Sequence, residues 1–220
     1  MYPALDIAGK IIVVTGGTSG IGRAIALGCA QAGANVVAGS TNPDKVAAIK
    51  AELDQIDNGH DALAMNVTDE AAMKSALGTV AAKYGRIESV VHAAGVIKRQ
   101  PSLDMPVAEF RSICDVNLTG TFIVNQAAGR IMKNQPADDR GERGCIVNIA
   151  SLNSYISLTE VLAYASSKSG VLGIIRGLAN EWAQYGIRVN GIAPGVFPTD
   201  LNRKLIEGTP RGEFLKAHTP

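Results

Sequence analysis

Cysteine is scarce in this chain: Cys29, Cys114 and Cys145 are an odd number with no CxxC spacing, so no disulfide framework is expected. A reduced, cytoplasmic setting fits them best, and Cys145, inside the apolar run CIVNIA, reads as a core residue. Histidine is equally sparse. His60, His92 and His218 lie far apart with no ligand-spaced partner, so no metal site is expected. His60 and His218 read as surface residues, whereas His92 ends an apolar strand pattern. No apolar run reaches the ~18–20 residues that span a bilayer. The opening MYPALDIAGK lacks the basic and apolar regions of a signal peptide. The formal net charge is only +1, with no basic block. That argues against a nucleic-acid partner, which needs clustered Lys and Arg to displace counterions.

What is present is 46% hydrophobic residues in 220, enough for a globular core and suggestive of one domain over 1–220. Short apolar runs alternate with longer helical stretches. Strands are predicted at 11–15, 35–39, 62–67, 88–93, 144–150 and 187–192. They are apolar on both faces, as strands of a covered parallel sheet should be. Helices are predicted at 20–32, 43–56, 69–84, 106–133 and 160–185. Asn42-Pro43-Asp44 supplies a cap, a first-turn proline and an acid near the positive end of the dipole. The alternation predicts a doubly wound α/β fold: a Rossmann-like parallel sheet between two helical layers. Residues 135–143 read as a polar surface loop. The stretch after Pro194 has no strand pattern, and 195–217 reads as a flap with one or two short helices.

Thr15-Gly16-Gly17-Thr18-Ser19-Gly20-Ile21-Gly22 follows a strand and opens a helix. Gly16 permits a tight turn, Gly20 lets backbone approach a pyrophosphate, and Gly22 lets the helix pack closely. The N–H groups at the helix start then face phosphates, and Thr18 and Ser19 add hydroxyl donors. An acid for the ribose 2′-hydroxyl is usual about 20 residues on. Here the second strand ends Gly39-Ser40-Thr41-Asn42 with no carboxylate. A 2′-phosphate would meet no repulsion there, which tips the reading toward NADP over NAD, with Ser40 and Thr41 as donors.

Ser151 follows a buried strand, and Tyr164-x-x-x-Lys168 falls near the start of a long helix, both groups on one face. The carboxyl edge of an open α/β sheet is where ligands bind. A phenol, an amine and a hydroxyl gathered there can trade a proton with a substrate oxygen. The alternative for the pair is an ordinary i,i+4 contact on a helix face.

TGGTSGIG, HAAG at 92–95, Asn117 in DVNLTG, Ser151, Tyr164-x-x-x-Lys168 and Pro194-Gly195 occur together and in order. In this the chain resembles the short-chain dehydrogenase/reductase family over essentially its whole length. The resemblance implies a nicotinamide-dependent oxidoreductase with Tyr164 as acid/base. Lys168 would lower the phenol pKa and hold the nicotinamide ribose, and Ser151 would orient the substrate oxygen. Asn117 would hold a proton-relay water, unless it merely bonds its own helix backbone. It also implies that Asn66 and Val67 flank the adenine, and that Ala93, Ala94 and Gly95 line the cofactor cleft. Pro194, Gly195, Phe197 and Thr199 would meet the nicotinamide end. His92 would prop a strand end.

Val96-Ile97-Lys98-Arg99 would then border the substrate, and two cations there could receive a carboxylate. The pattern looks like that of family members acting on sugar acids such as gluconate. The alternative is a solvated loop. Two other functions stay open: a 3-oxoacyl-thioester reductase, and a non-catalytic dinucleotide-binding sensor, although the latter usually lacks the tyrosine or lysine. The family normally continues through another helix and a seventh strand, which this sequence is expected to lack. A homo-oligomer built on the helices at 106–133 and 160–185 is expected.

Overall fold

A computed structural model describes residues 6–57, 59–197 and 203–217. The strands are β1 (Ile11–Thr15), β2 (Asn35–Ser40), β3 (Asp61–Ala64), β4 (Ser89–His92), β5 (Gly144–Ile149) and β6 (Ile187–Ile192). All pair in parallel, in the order β3-β2-β1-β4-β5-β6. The order reverses between β1 and β4, and that switch point opens a crevice at the carboxyl ends of the strands.

Successive strand residues feed two separate cores. Ile11, Val13, Val37, Val90 and Ile146 pack on one face with residues of α3 (Glu70–Tyr84), α5 (Gly120–Asn134) and α6 (Leu162–Trp182). Ile12, Val14, Val36, Ala38 and Val91 pack on the other with α1 (Gly20–Gln31) and α2 (Pro43–Asp54). This two-faced burial is why the strands read as unbroken apolar runs rather than alternating ones. Each fully buried valine or isoleucine stabilises the fold by roughly 1.5–3 kcal/mol.

The helix starts follow their local chemistry. The Asn42 side chain accepts from Lys45 N–H at 3.0 Å, and that of Asp69 from Ala72 N–H at 2.9 Å. Two short helices, α7 (Arg203–Ile206) and α8 (Pro210–Ala217), occupy the region read as a flap. Among the described residues no helix is long and apolar enough to cross a membrane.

The helix predicted at 106–133 runs unbroken as α4 (Val107–Cys114), a π-helical turn over Asp115–Thr119 that the sequence did not announce, and α5. Two expectations need correction. His60 is buried rather than on the surface, because its Nδ1 accepts from Val36 N–H at 3.2 Å. Gln135, placed in a surface loop, is also buried. Its amide exchanges two hydrogen bonds with the backbone of Ile87, at 3.1 and 2.8 Å.

Candidate active site

One cleft at the carboxyl edge is lined by Gly16, Ser19, Gly20, Ile21, Gly22, Ala93, Ala94, Gly95, Ser151, Tyr164, Lys168, Pro194, Gly195 and Phe197, together with Ile149 and Ala150. The two halves of the sequence motif therefore meet. On the β1–α1 side the surface is backbone. Gly16 has φ +70°, and a Cβ there would come 2.6 Å from Ala94 N. A Cβ on Gly22 would collide with Gly16 O. Ser19 caps α1 in extended geometry without a side-chain cap bond, and the first turn carries no acid. The orphan N–H groups of α1 thus have no internal acceptor of that kind and suit a phosphate anion. The glycines and this bare helix start fit a dinucleotide pyrophosphate.

Thr18 is buried in the same turn but does not line the cleft. Ser40 ends β2, next to β1, with Thr41 exposed beyond it. Asn66 turns the chain after β3: its Oδ1 accepts from Thr68 N–H and Oγ1–H. Val67 is buried against Gly120 at the start of α5. These four residues sit beside the cleft rather than on its lining. Thr199 lies outside the described residues.

On the other wall the surface is made of side chains. Ser151 caps a short 3₁₀ turn, Leu152–Ser154, and its Oγ accepts from Asn153 N–H at 3.1 Å. Ser154 Oγ accepts from Ser151 N–H at 3.2 Å and donates to Lys168 O at 2.8 Å. That single hydroxyl locks the Ser151 turn to α6, and sequence reasoning missed it. Its signal is the Ser151-x-x-Ser154 spacing, which satisfies a turn start reciprocally. Leu152 N–H donates to Pro194 O at 3.0 Å, which holds the loop after β6 over the same turn.

Lys168 is buried, and its Nζ donates to Ile149 O at 2.6 Å. Burial lowers its pKa to about 8. The amine stands 5.9 Å from the Tyr164 ring centre. The expected depression of the Tyr164 pKa is not found. Burial pushes the phenol above its ordinary value, and a hydrogen bond with Ser151 works against that rise. The physical reason is that desolvation outweighs the help the amine can give while it is turned to a carbonyl.

Asn117 sits in the π turn, fully buried. Its Oδ1 accepts from Val96 N–H, and its Nδ2 donates to Val96 O, both at 2.8 Å. Nδ2 also reaches Ser167 Oγ at 3.0 Å. The side chain does not bond its own helix backbone. It clamps the loop after β4 to α6, and the irregular turn is what aims it there. His92 Nδ1 lies 2.7 Å from Thr15 Oγ1, joining the ends of β1 and β4, as a strand prop should. Burial, with a smaller contribution from the Lys168 charge, lowers its pKa to about 3.

The two cations expected to receive a substrate carboxylate do not stand free. Lys98 Nζ pairs with Glu109 at 2.8 Å, and Arg99 pairs with Glu160. Both lie beyond the residues that line the cleft.

Comparison with known proteins agrees with this geometry. The family model for short chain dehydrogenase matches residues 10–210. A D-threitol dehydrogenase of Mycolicibacterium smegmatis is 39% identical over 212 residues, 96% of this chain and 79% of that protein. A 2-dehydro-3-deoxy-D-gluconate 5-dehydrogenase of Formosa agariphila is 36% identical over 217 residues, 98% of this chain and 80% of that protein. A crystal structure from Beutenbergia cavernae, provisionally described as an NAD(P)-dependent gluconate 5-dehydrogenase with NADP bound at low occupancy, superposes with a TM-score of 0.88 at 34% identity. The superposition covers 98% of this chain and 83% of that one. With its glycine cradle and its Ser151, Tyr164 and Lys168 on one cleft, the chain belongs to the short-chain dehydrogenase family of NAD(P)-dependent oxidoreductases.

Proposed function

We propose that this protein moves a hydride between a nicotinamide dinucleotide and a hydroxyl- or keto-bearing carbon of a sugar acid. The observation that carries the reading is the meeting of Ser151, Tyr164 and Lys168 with the glycine-rich turn on one cleft. Relatives that act on a gluconate derivative and on a polyol support a polyhydroxylated substrate. The pyrophosphate would be held by the N–H groups at the start of α1. Ser40 and Thr41 would meet the adenosine ribose, and Asn66 and Val67 the adenine. The lack of a carboxylate at the end of β2, Gly39 to Asn42, supports NADP over NAD.

When bound, the dinucleotide supplies or accepts the hydride. The chain's own residues handle the proton. Tyr164 exchanges it with the substrate oxygen, and Ser151 Oγ orients that oxygen. Burial holds the phenol protonated at neutral pH, the form that donates to a carbonyl. For alcohol oxidation the phenol must ionise, which the Lys168 ammonium favours once it turns from Ile149 O toward the cleft. With a pKa of about 8, Lys168 is mostly charged at pH 7 and loses that charge above it. Asn117 acts as a positioning residue, and a water beside it would return protons to Lys168.

We read residues 1–220 as a single catalytic domain of a cytoplasmic enzyme that self-associates through α4, α5 and α6. Val107, Phe122 and Leu162 lie exposed on these helices. Light scattering tests the association: a monomer overturns it. The substrate reading is tested by following nicotinamide absorbance with NADP or NAD against sugar acids, polyols and acetoacetyl thioester. Turnover of a sugar acid or its keto form is expected. Turnover of the thioester alone would assign the chain to acyl reduction instead.

A further inference from the structure

Two segments that flank the cleft lining in sequence carry a contact that the hydride chemistry does not use. The chain leaves the cleft at Gly95 toward Arg99, and it returns from Glu160 to Tyr164. Each is four residues from the lining, within about 14 Å even if fully extended. The two segments are clasped. Gln100 N–H donates to Glu160 O at 2.8 Å, and the Glu160 carboxylate pairs with the Arg99 guanidinium. Lys98 is held separately by Glu109. Among the described residues Glu160 is the one non-glycine position with positive φ, +64°. An L side chain is crowded in that region, and such strain persists where surrounding structure enforces it. The backbone hydrogen bond from Gln100 ties this strained turn to the segment after Gly95, independently of the ion pair.

Glu160 occupies Arg99 Nε and offsets its charge, so a substrate anion gains the full attraction of Arg99 when Glu160 releases it. The pair is about one-third exposed, at 35% and 36% of its side-chain surface. Partly solvated ion pairs are weakly held, so a second carboxylate can displace the first. An uncharged polyol makes no such exchange.

We propose that Glu160 is a specificity-determining residue, an internal carboxylate that competes with an acidic substrate for Arg99. It thereby sets the preference between sugar acids and uncharged polyols. The inference rests on the polyhydroxylated-substrate reading above and adds the residue that tunes it.

The test compares kcat/KM for D-gluconate with that for D-threitol at saturating dinucleotide. Dissociation constants from calorimetry on the dinucleotide-loaded protein give the same ratio where one compound is not turned over. Glu160→Gln is expected to raise the acid-to-polyol ratio roughly fivefold, the scale of one exposed ion pair, through a lower KM or Kd for gluconate. Glu160→Asp keeps the charge and should leave the ratio near that of the wild type. The double variant Arg99→Ala/Glu160→Gln should lose the gain, which separates competition for Arg99 from a loosened loop. An unchanged ratio in Glu160→Gln, or the same gain without Arg99, overturns the inference and leaves the substrate class standing. A wild type that neither binds nor turns over either compound overturns the substrate class and this assignment together.

Discussion

On the dinucleotide side of the cleft the surface is backbone: Gly16, Gly20 and Gly22, with the bare amino end of α1. On the catalytic side it is side chains held by other side chains and carbonyls: Ser151 by Ser154, Lys168 by Ile149 O, and the Val96 loop by Asn117. The difference teaches where each wall is fragile. At Gly16 and Gly22 the backbone wall fails when a Cβ enters it, because the atoms it would meet first are backbone and cannot move aside. A side-chain wall fails gradually, as individual hydrogen bonds are removed and the reacting groups drift.

Substitutions on the two walls should therefore differ in kind as well as size. Gly22→Val is expected to have the largest effect, because its side chain would overlap Gly16 O and Ala93. Dinucleotide affinity measured by calorimetry should fall more than ~100-fold, since a misplaced phosphate cradle loses several hydrogen bonds at once. Retained affinity would mean that this wall is not the cradle.

The second prediction concerns the strand ends that join the walls. His92 has a pKa of about 3 in the fold against 6.5 as the reference value. Between those values the unfolded chain binds the extra proton, so stability is lost as pH falls from 6.5 toward 3. At pH 4.5 that loss is on the order of 2–3 kcal/mol. His92→Asn should remove that part of the acid sensitivity, read as a flatter urea-unfolding stability between pH 7 and 4.5. An unaltered slope would mean that His92 is not held neutral.

The smallest change is expected at Ser154→Ala. It leaves the buried Ser151 N–H without its partner, at a cost of about 1–3 kcal/mol of stability. Turnover should drop roughly tenfold while dinucleotide affinity holds, because only the orientation of Ser151 is disturbed. A parallel loss of affinity would show that the two walls are not independent.

The backbone wall was legible in the sequence because glycine spacing states a steric demand that only one residue type meets. The sheet was legible too: strands apolar on both faces announce a covered parallel sheet. The catalytic trio was legible by type and spacing, but its electrostatics were not. Whether Lys168 faces Tyr164 or Ile149 O depends on a rotamer and on desolvation, which sequence does not encode locally. The π turn at Asp115–Thr119 was hidden for a related reason. DVNLTG has ordinary helical character, and the contact that the turn serves, Asn117 to Val96, spans 21 residues. Lys98 and Arg99 read as free cations because their partners, Glu109 and Glu160, are 11 and 61 residues away.

The central claim is that the Tyr164 phenol delivers the proton beside a dinucleotide held by the other wall. Tyr164→Phe tests it directly, with calorimetric dinucleotide affinity and single-turnover hydride transfer measured on the same preparation. Affinity within about twofold of the wild type, together with a rate lowered by ~10²–10⁴ as for a lost general acid, is the predicted result. Hydride transfer at the wild-type rate in the phenylalanine variant would contradict it.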